Sequence, residues 1–259
     1  MTDEIILMKL GGSLITDKKS ETPKCHLDVV SEIANIISKF DQKIIIVHGA
    51  GSYAHPIVKK HNIDKGIDGT EIQKKAILQT RKQLLKLNRI LSEKIKKTGI
   101  ECESIIPSQT MSLDENNALK SFPKEKFDSV ISNGKIAITF GDIVNIGKKN
   151  VGILSGDTLL LKLAQLYRPK RTFFVMDYPG VVKGNLEGDN PEIYDKIDSE
   201  YIDRISILKE ENRPDVTGGL VNKIQCALEI SKICECWITG LENLEDCISG
   251  IPKGTRVIL

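Results

Sequence analysis

Residues 4–52, EIILMKLGGSLITDKKSETPKCHLDVVSEIANIISKFDQKIIIVHGAGS, decide the fold. Residues 4–10 form a short apolar run that stops at Gly11-Gly12, the pattern of a buried strand entering a tight loop. Leu27, Val30, Ile33, Ile37 and Phe40 then recur at helical spacing, which predicts a helix over 27–40. Residues 43–47 are a second buried strand, again closed by glycines. Strand, helix and strand make a βαβ unit, and such a unit predicts parallel strands joined by a right-handed crossover.

The same alternation continues outward. Ile72, Ala76, Ile77, Leu84, Leu87, Leu91 and Ile95 form one stripe over residues 70–98, and Gly99 sits where a C-terminal cap belongs. Short strands are expected at 102–106 and 135–139, then a hairpin of 143–146 with 151–154. A helix at 157–166, a buried strand at 171–176 and a long polar loop at 183–198 follow. Thr217 is placed to cap a helix carrying Leu220, Ile224, Ala227 and Leu228, and residues 255–259 read as a last strand. With no internal repeat and no flexible linker, the expectation is one α/β domain over 1–259, a three-layer αβα sandwich with a mainly parallel central sheet. Its approximate lobes are 1–140 and 141–259.

Composition narrows the function class. Across 259 residues, 37 Lys and Arg against 35 Asp and Glu leave a formal net charge of +2, without the basic excess a nucleic-acid surface needs. No apolar run approaches the ~20 residues of a membrane span, and Met1-Thr-Asp-Glu lacks the basic and apolar regions of a signal peptide. A cytoplasmic protein with neither nucleic-acid nor membrane partner is expected. The scattered cysteines, Cys234-Glu-Cys236 included, do not match metal-ligand spacing and read as reduced thiols.

Four glycine-bearing loops follow strands or open helices: Lys9-Leu-Gly-Gly-Ser13, His48-Gly-Ala-Gly-Ser52 with His55-Pro56, Ser155-Gly-Asp157, and Asp215-Val-Thr-Gly-Gly219 with Lys223. Glycine lets backbone approach a ligand without a Cβ, and free N–H groups at a helix start favour an anion. One such loop is an ordinary turn; four together, each beside Lys, His or Ser, point to a polyphosphate site. None fits the P-loop pattern, and no Gly-x-Gly-x-x-Gly follows the first strand. By residue type alone, Lys9 reads equally as a solvated strand tip, Lys18 as part of a charged loop and His55 as a turn or cap residue. Asp142 and Asp157 read as turn or cap residues, and His48 as structural.

The order Lys-Leu-Gly-Gly-Ser, Gly-x-Gly-Ser, Gly-Asp, Ser-Gly-Asp, Asp-x-x-Gly and Asp-Val-Thr-Gly-Gly-x-x-x-Lys resembles the amino acid kinase superfamily. Thr16-Asp17-Lys18, His55-Pro56 and Asp215-Val-Thr-Gly-Gly219 are most similar to its isopentenyl phosphate kinase branch. The resemblance implies ATP-dependent phosphorylation of isopentenyl phosphate to the diphosphate, with ATP and Mg²⁺ as cofactors and a homodimer as the assembly. It implies that Lys9 contacts the transferred phosphoryl group and Lys18 stabilises the transition state. Gly11, Gly12 and Ser13 would lie under the ATP phosphates, and Gly51 would donate its N–H to the moving phosphate. Ala50 and Gly156 would lie along the acceptor, His55 would grip the acceptor's own phosphate, and Asp157 would orient the lysines. Asp177, Gly219 and Lys223 would fall on the nucleotide side. Runner-up readings are a sister kinase of another small acidic or phosphonate acceptor, and a silent nucleotide-sensing module.

Three positions depart from the superfamily's usual pattern: Ala50 where glycine is common, Thr158 where a second Asp is common, and Pro179 within Asp177-Tyr-Pro-Gly180. Pro179 removes a carboxylate and a backbone N–H, so nucleotide detail is the part it touches.

Overall fold

The computed structural model describes residues 4–147, 150–183, 192–201 and 218–259. The first half runs β1 (Ile5–Leu10), α1 (Gly12–Ile15), α2 (Leu27–Ile37), β2 (Lys43–His48), α3 (His55–Lys60), α4 (Glu71–Lys97), β3 (Cys102–Ser104), α5 (Pro107–Thr110), β4 (Ser112–Leu113), β5 (Leu119–Ser121), α6 (Lys124–Ser132) and β6 (Ile136–Phe140). The second half runs β7 (Asp142–Ile146), β8 (Asn150–Leu154), α7 (Gly156–Tyr167), β9 (Arg171–Met176), β10 (Lys196–Ile197), α8 (Gly218–Ser231), β11 (Glu235–Gly240), α9 (Leu244–Ser249) and β12 (Thr255–Val257).

Eight strands form one sheet in the order β10-β12-β11-β9-β1-β2-β6-β3, parallel except for the β11–β12 pair. Along β1 and β2 the side chains alternate between two cores, as the two-residue period of a strand requires. Leu7, Ile45 and Val47 face the layer that includes α7 and α8, while Ile6, Met8, Leu10, Ile44 and Ile46 face the layer with α2 and α9. Both faces are therefore covered, which explains the near-continuous apolar runs of the central strands. A smaller sheet, β5-β4-β7-β8, contains the expected hairpin, with β7 and β8 antiparallel from Asp142↔Leu154 to Ile146↔Asn150.

Four sequence expectations are corrected. The helix expected over 27–40, α2, ends at Ile37, so Phe40 lies beyond it. Within the polar stretch 183–198, Ile197 is buried and pairs with Val257, so the loop contains a strand that one apolar residue could not announce. Ile72 is exposed at 69%, and Gln73 takes the inward place at the first turn of α4. Its amide donates to His61 and Gly66 carbonyls and accepts from Asp68 N–H, which satisfies a polar group where an apolar one was expected. Asp142, read as a turn or cap residue, is a buried strand residue at the start of β7 whose side chain serves the first turn of α5. Its carboxylate accepts from Ser108 and Ile143 N–H groups, and burial raises its pKa. Thr217, the expected cap, and Asp215–Thr217 of the fourth glycine loop lie outside the described residues. Among the described residues no helix is long and apolar enough to cross a membrane, and all six cysteines are unpaired.

Candidate active site

Strand register gathers the loops. Leu10 pairs with His48 on one side and Val175 on the other, while His48 pairs with Phe140 and Met176 with Gly240. The carboxyl ends of β1, β2, β6, β9 and β11 thus lie along one edge of the sheet. The chain builds outward from β1 through β2 and β6 on one side and through β9 and β11 on the other. Ligands of open α/β sheets bind at that kind of reversal, outside the carboxyl ends of the strands.

The first two glycine loops touch backbone to backbone at this edge. A Cβ on Gly12 would lie 2.5 Å from Gly51 N, and one on Gly49 would lie 2.5 Å from Gly12 N. Gly51 has φ +50, and its Cβ would fall 1.8 Å from Thr16 Oγ1, so only glycine fits. Ala50 adopts φ −88 and ψ −37, an ordinary right-handed conformation, so its methyl is accommodated without backbone strain. Gly11 N–H is committed to Val175 O at 2.8 Å and Gly49 N–H to Leu10 O at 2.9 Å, which fixes the loop bases. Among the described residues, the N–H groups of Gly12, Ser13, Gly51 and Gly156 donate to no protein acceptor. They open helical turns, where such donors are left for a ligand.

Lys9 shares the face of Leu7 and so points toward α7 and α8. It is 8% exposed, its Nζ is 2.5 Å from Asp157 Oδ1 near the start of α7, and it stands 5.9 Å from the Phe174 ring centre. A Cβ on Gly156 would sit 3.2 Å from Lys9 Cε, so this glycine leaves room for the lysine stem. Asp157 is thereby a partner of Lys9, and the helix start is capped by Ser155, whose Oγ accepts from Thr158 N–H at 3.1 Å. Thr158, a departure from the common pattern, adds its own hydroxyl to that cap at 2.9 Å.

On the β9 side, Ser13 Oγ donates to Asp177 Oδ1 at 3.0 Å. Lys223, about one turn into α8 after Gly218 and Gly219, reaches Met176 Sδ at 3.5 Å. Burial lowers the Lys223 pKa to about 8, with Lys9 and Lys18 pushing the same way and Asp157 and Asp177 opposing. On the β2 side, His55 begins α3 with an exposed edge. The protein around the rest of its imidazole lowers its pKa, and the charges of Lys18 and Lys9 add to the effect. Lys18 is itself exposed, on a loop closed by an antiparallel bridge between Thr16 and Cys25.

His48, at the end of β2, faces the other layer. It is fully buried, its ring stacks on Phe140 with centres 4.9 Å apart, and its Nδ1 lies 3.0 Å from Gly49 O. Burial takes its pKa down to about 4, so it is a neutral support beneath the second loop. The described residues of the glycine loops thus gather at one sheet edge. What residue-type reasoning passed over is the role of Thr16 and Ser52, both buried and both within motifs already quoted.

Comparison with known proteins agrees with this geometry. Residues 4–240 match the profile of the amino acid kinase family. Isopentenyl phosphate kinase of Methanothermobacter thermautotrophicus is 28% identical over 267 aligned residues, covering 98% of each chain. That of Methanocaldococcus jannaschii is 28% identical, covering 85% of each. A solved isopentenyl phosphate kinase structure superposes with a TM-score of 0.82 at 26% identity, covering 98% of this chain and 99% of its own.

Proposed function

This chain belongs to the amino acid kinase family, and from that premise we propose that it transfers the γ-phosphoryl group of ATP to isopentenyl phosphate, giving isopentenyl diphosphate and ADP. One observation carries the reading. Lys9 is held by Asp157 on the central strand β1, whose neighbours are β2, which leads to the His55 loop, and β9, which ends beside Asp177. Two phosphorylated ligands that meet end to end over Lys9 would each have cationic partners.

Phosphoryl transfer needs little covalent help; it needs alignment of two anions and neutralisation of the moving group. An acceptor phosphate carries about −1.5 to −2 charge near neutrality and is already a nucleophile, so no strong general base is required. In this reading the acceptor lies along Ala50 and His55 of the lobe of residues 1–140 and against Gly156 of the other lobe. The nucleotide lies over Gly11, Gly12 and Ser13 and against Asp177, Gly219 and Lys223 of the lobe of residues 141–259. Gly51 N–H and Lys9 hold the transferring phosphoryl group, Lys18 meets the charge that builds on it, and Asp157 keeps Lys9 in place. Mg²⁺ would neutralise charge between the nucleotide phosphates. Phosphate oxygens would be among its ligands, as is usual for Mg²⁺ at nucleotide sites. A homodimer working in the cytoplasm completes the proposal.

His55→Ala tests the acceptor assignment. The acceptor KM is expected to rise about tenfold or more while the KM for ATP stays within twofold, since a charge-assisted hydrogen bond contributes roughly 1.5–3 kcal/mol. A selective rise in the ATP KM refutes the assignment.

Lys223 gives a pH prediction. Its native pKa of about 8 lies below the ordinary value of 10.5, so between those limits the unfolded chain holds a proton that the native state lacks. Its contribution to stability therefore improves as pH rises through that window, and below it the charged ammonium is a cost to the fold. A polyanion bound beside Lys223 restores the charge. ATP binding at pH 8–9 is expected to take up a proton, measured by calorimetry in buffers of different ionisation enthalpy, and Lys223→Met should abolish the uptake. Equal uptake by the variant would remove Lys223 from the nucleotide side.

A further inference from the structure

Lys18 is exposed and stands on a loop of residues 16–25, so its position is set by how that loop is anchored. The loop's own ion pair, Lys24 Nζ to Asp17 Oδ2 at 3.0 Å, is between partly exposed side chains and adds little. The firm attachments are at its base and are buried. Thr16 is 0% exposed, and its Oγ1 donates to Gly12 O at 2.7 Å and accepts from Ser52 N–H at 3.0 Å. Ser52 is 4% exposed, and its Oγ accepts from Lys24 N–H at 3.3 Å and approaches Lys24 O at 3.4 Å. One hydroxyl therefore ties the first glycine loop to the second, and through Ser52 the second loop holds the far strand of the Lys18 loop. The space it occupies is the one vacated by the missing Cβ of Gly51.

Resting on the kinase reading above, we propose that Thr16 is a positioning residue that keeps Lys18 in register with the Gly12 and Gly51 loops. It touches neither ligand in this role; it acts on phosphoryl transfer through Lys18. Without the hydroxyl, Ser52 N–H is left buried with no acceptor, and the Lys18 loop keeps only the Thr16 N–H to Gly12 O bond and the longer Ser52–Lys24 contacts as ties to the two loops it must serve. Small displacements of a charge-stabilising group cost much of its effect, so a kcat loss of roughly 10- to 100-fold is expected on its removal.

A double-mutant cycle tests this, with ADP release measured on whichever acceptor the wild-type protein turns over. Thr16→Ala should lower kcat with both KM values within about twofold, and Thr16→Ser should recover most of the loss. In a Lys18→Ala background, Thr16→Ala should cost nothing further. Full multiplication of the two effects, or a serine variant as poor as the alanine one, overturns the proposal. Should Thr16→Ala not fold, Ser52→Ala enters the same cycle and must show the same dependence on Lys18. Amide hydrogen exchange supplies a readout that needs no turnover. Thr16→Ala should speed exchange at residues 17–25, Thr16→Ser should restore protection, and unchanged exchange in the alanine variant overturns the proposal. A wild-type protein inactive on every acceptor would sink the kinase reading, while the exchange result would still decide whether Thr16 holds the loop.

Discussion

Lys9→Ala is expected to lower kcat by about 10²–10³-fold, the range seen when a single group that stabilises transition-state charge is removed. The reasoning starts at the strand. Parity along β1 turns Lys9 away from Ile6, Met8 and Leu10 and toward α7, where Asp157 fixes its Nζ at 2.5 Å. The side chains of the pair are only 9% and 14% exposed, so the ammonium enters the reaction already oriented and poorly screened. Removal also strands the largely buried Asp157 carboxylate, so the variant is expected to melt at a lower temperature as well. Steady-state kinetics and a melting curve on one preparation check both parts, and activity within tenfold of wild type would remove Lys9 from the reacting phosphate.

The second large effect belongs to Gly51→Ala. This position combines a positive φ of +50 with a Cβ site 1.8 Å from Thr16 Oγ1 and 2.7 Å from Gly12 O. Left-handed backbone costs a non-glycine residue roughly 1–2 kcal/mol, and the overlap forces the two glycine loops apart as well. Since the proposed transfer depends on both loops, kcat/KM should fall at least about 10²-fold. Gly99 is the control. Its φ of +89 is also positive, but nothing lies within 4 Å of its Cβ site. Gly99→Ala should lower the melting temperature modestly and leave kcat/KM unchanged. If the two substitutions behave alike, close packing of the loops is not what Gly51 provides.

The residues that made the fold legible were those whose pattern follows from backbone geometry. The apolar runs of β1, β2 and β9 are buried on both faces, and the glycines that follow β1 and β2 mark where the chain leaves the sheet. The family order of the loops then made the charged set legible as a group. Positions where a tertiary contact overrides local pattern were not legible. Gln73 replaces Ile72 in the core because three loop groups need its amide. Ile197 joins the sheet edge from a polar stretch. Thr16 and Ser52 looked like ordinary loop residues, because nothing in a linear sequence reveals that a hydroxyl fills the space beside a glycine from a different loop.

The most direct test of the account is ADP release with ATP and a panel of acceptors: isopentenyl phosphate, isopentenol, fosfomycin and N-acetylglutamate. Phosphorus NMR identifies the product. The account predicts turnover on isopentenyl phosphate well above the other three, with the paired resonances of a diphosphate ester appearing as ADP accumulates. Preferred turnover of a carboxylate or phosphonate acceptor, or ATP binding with no turnover on any of them, would contradict it.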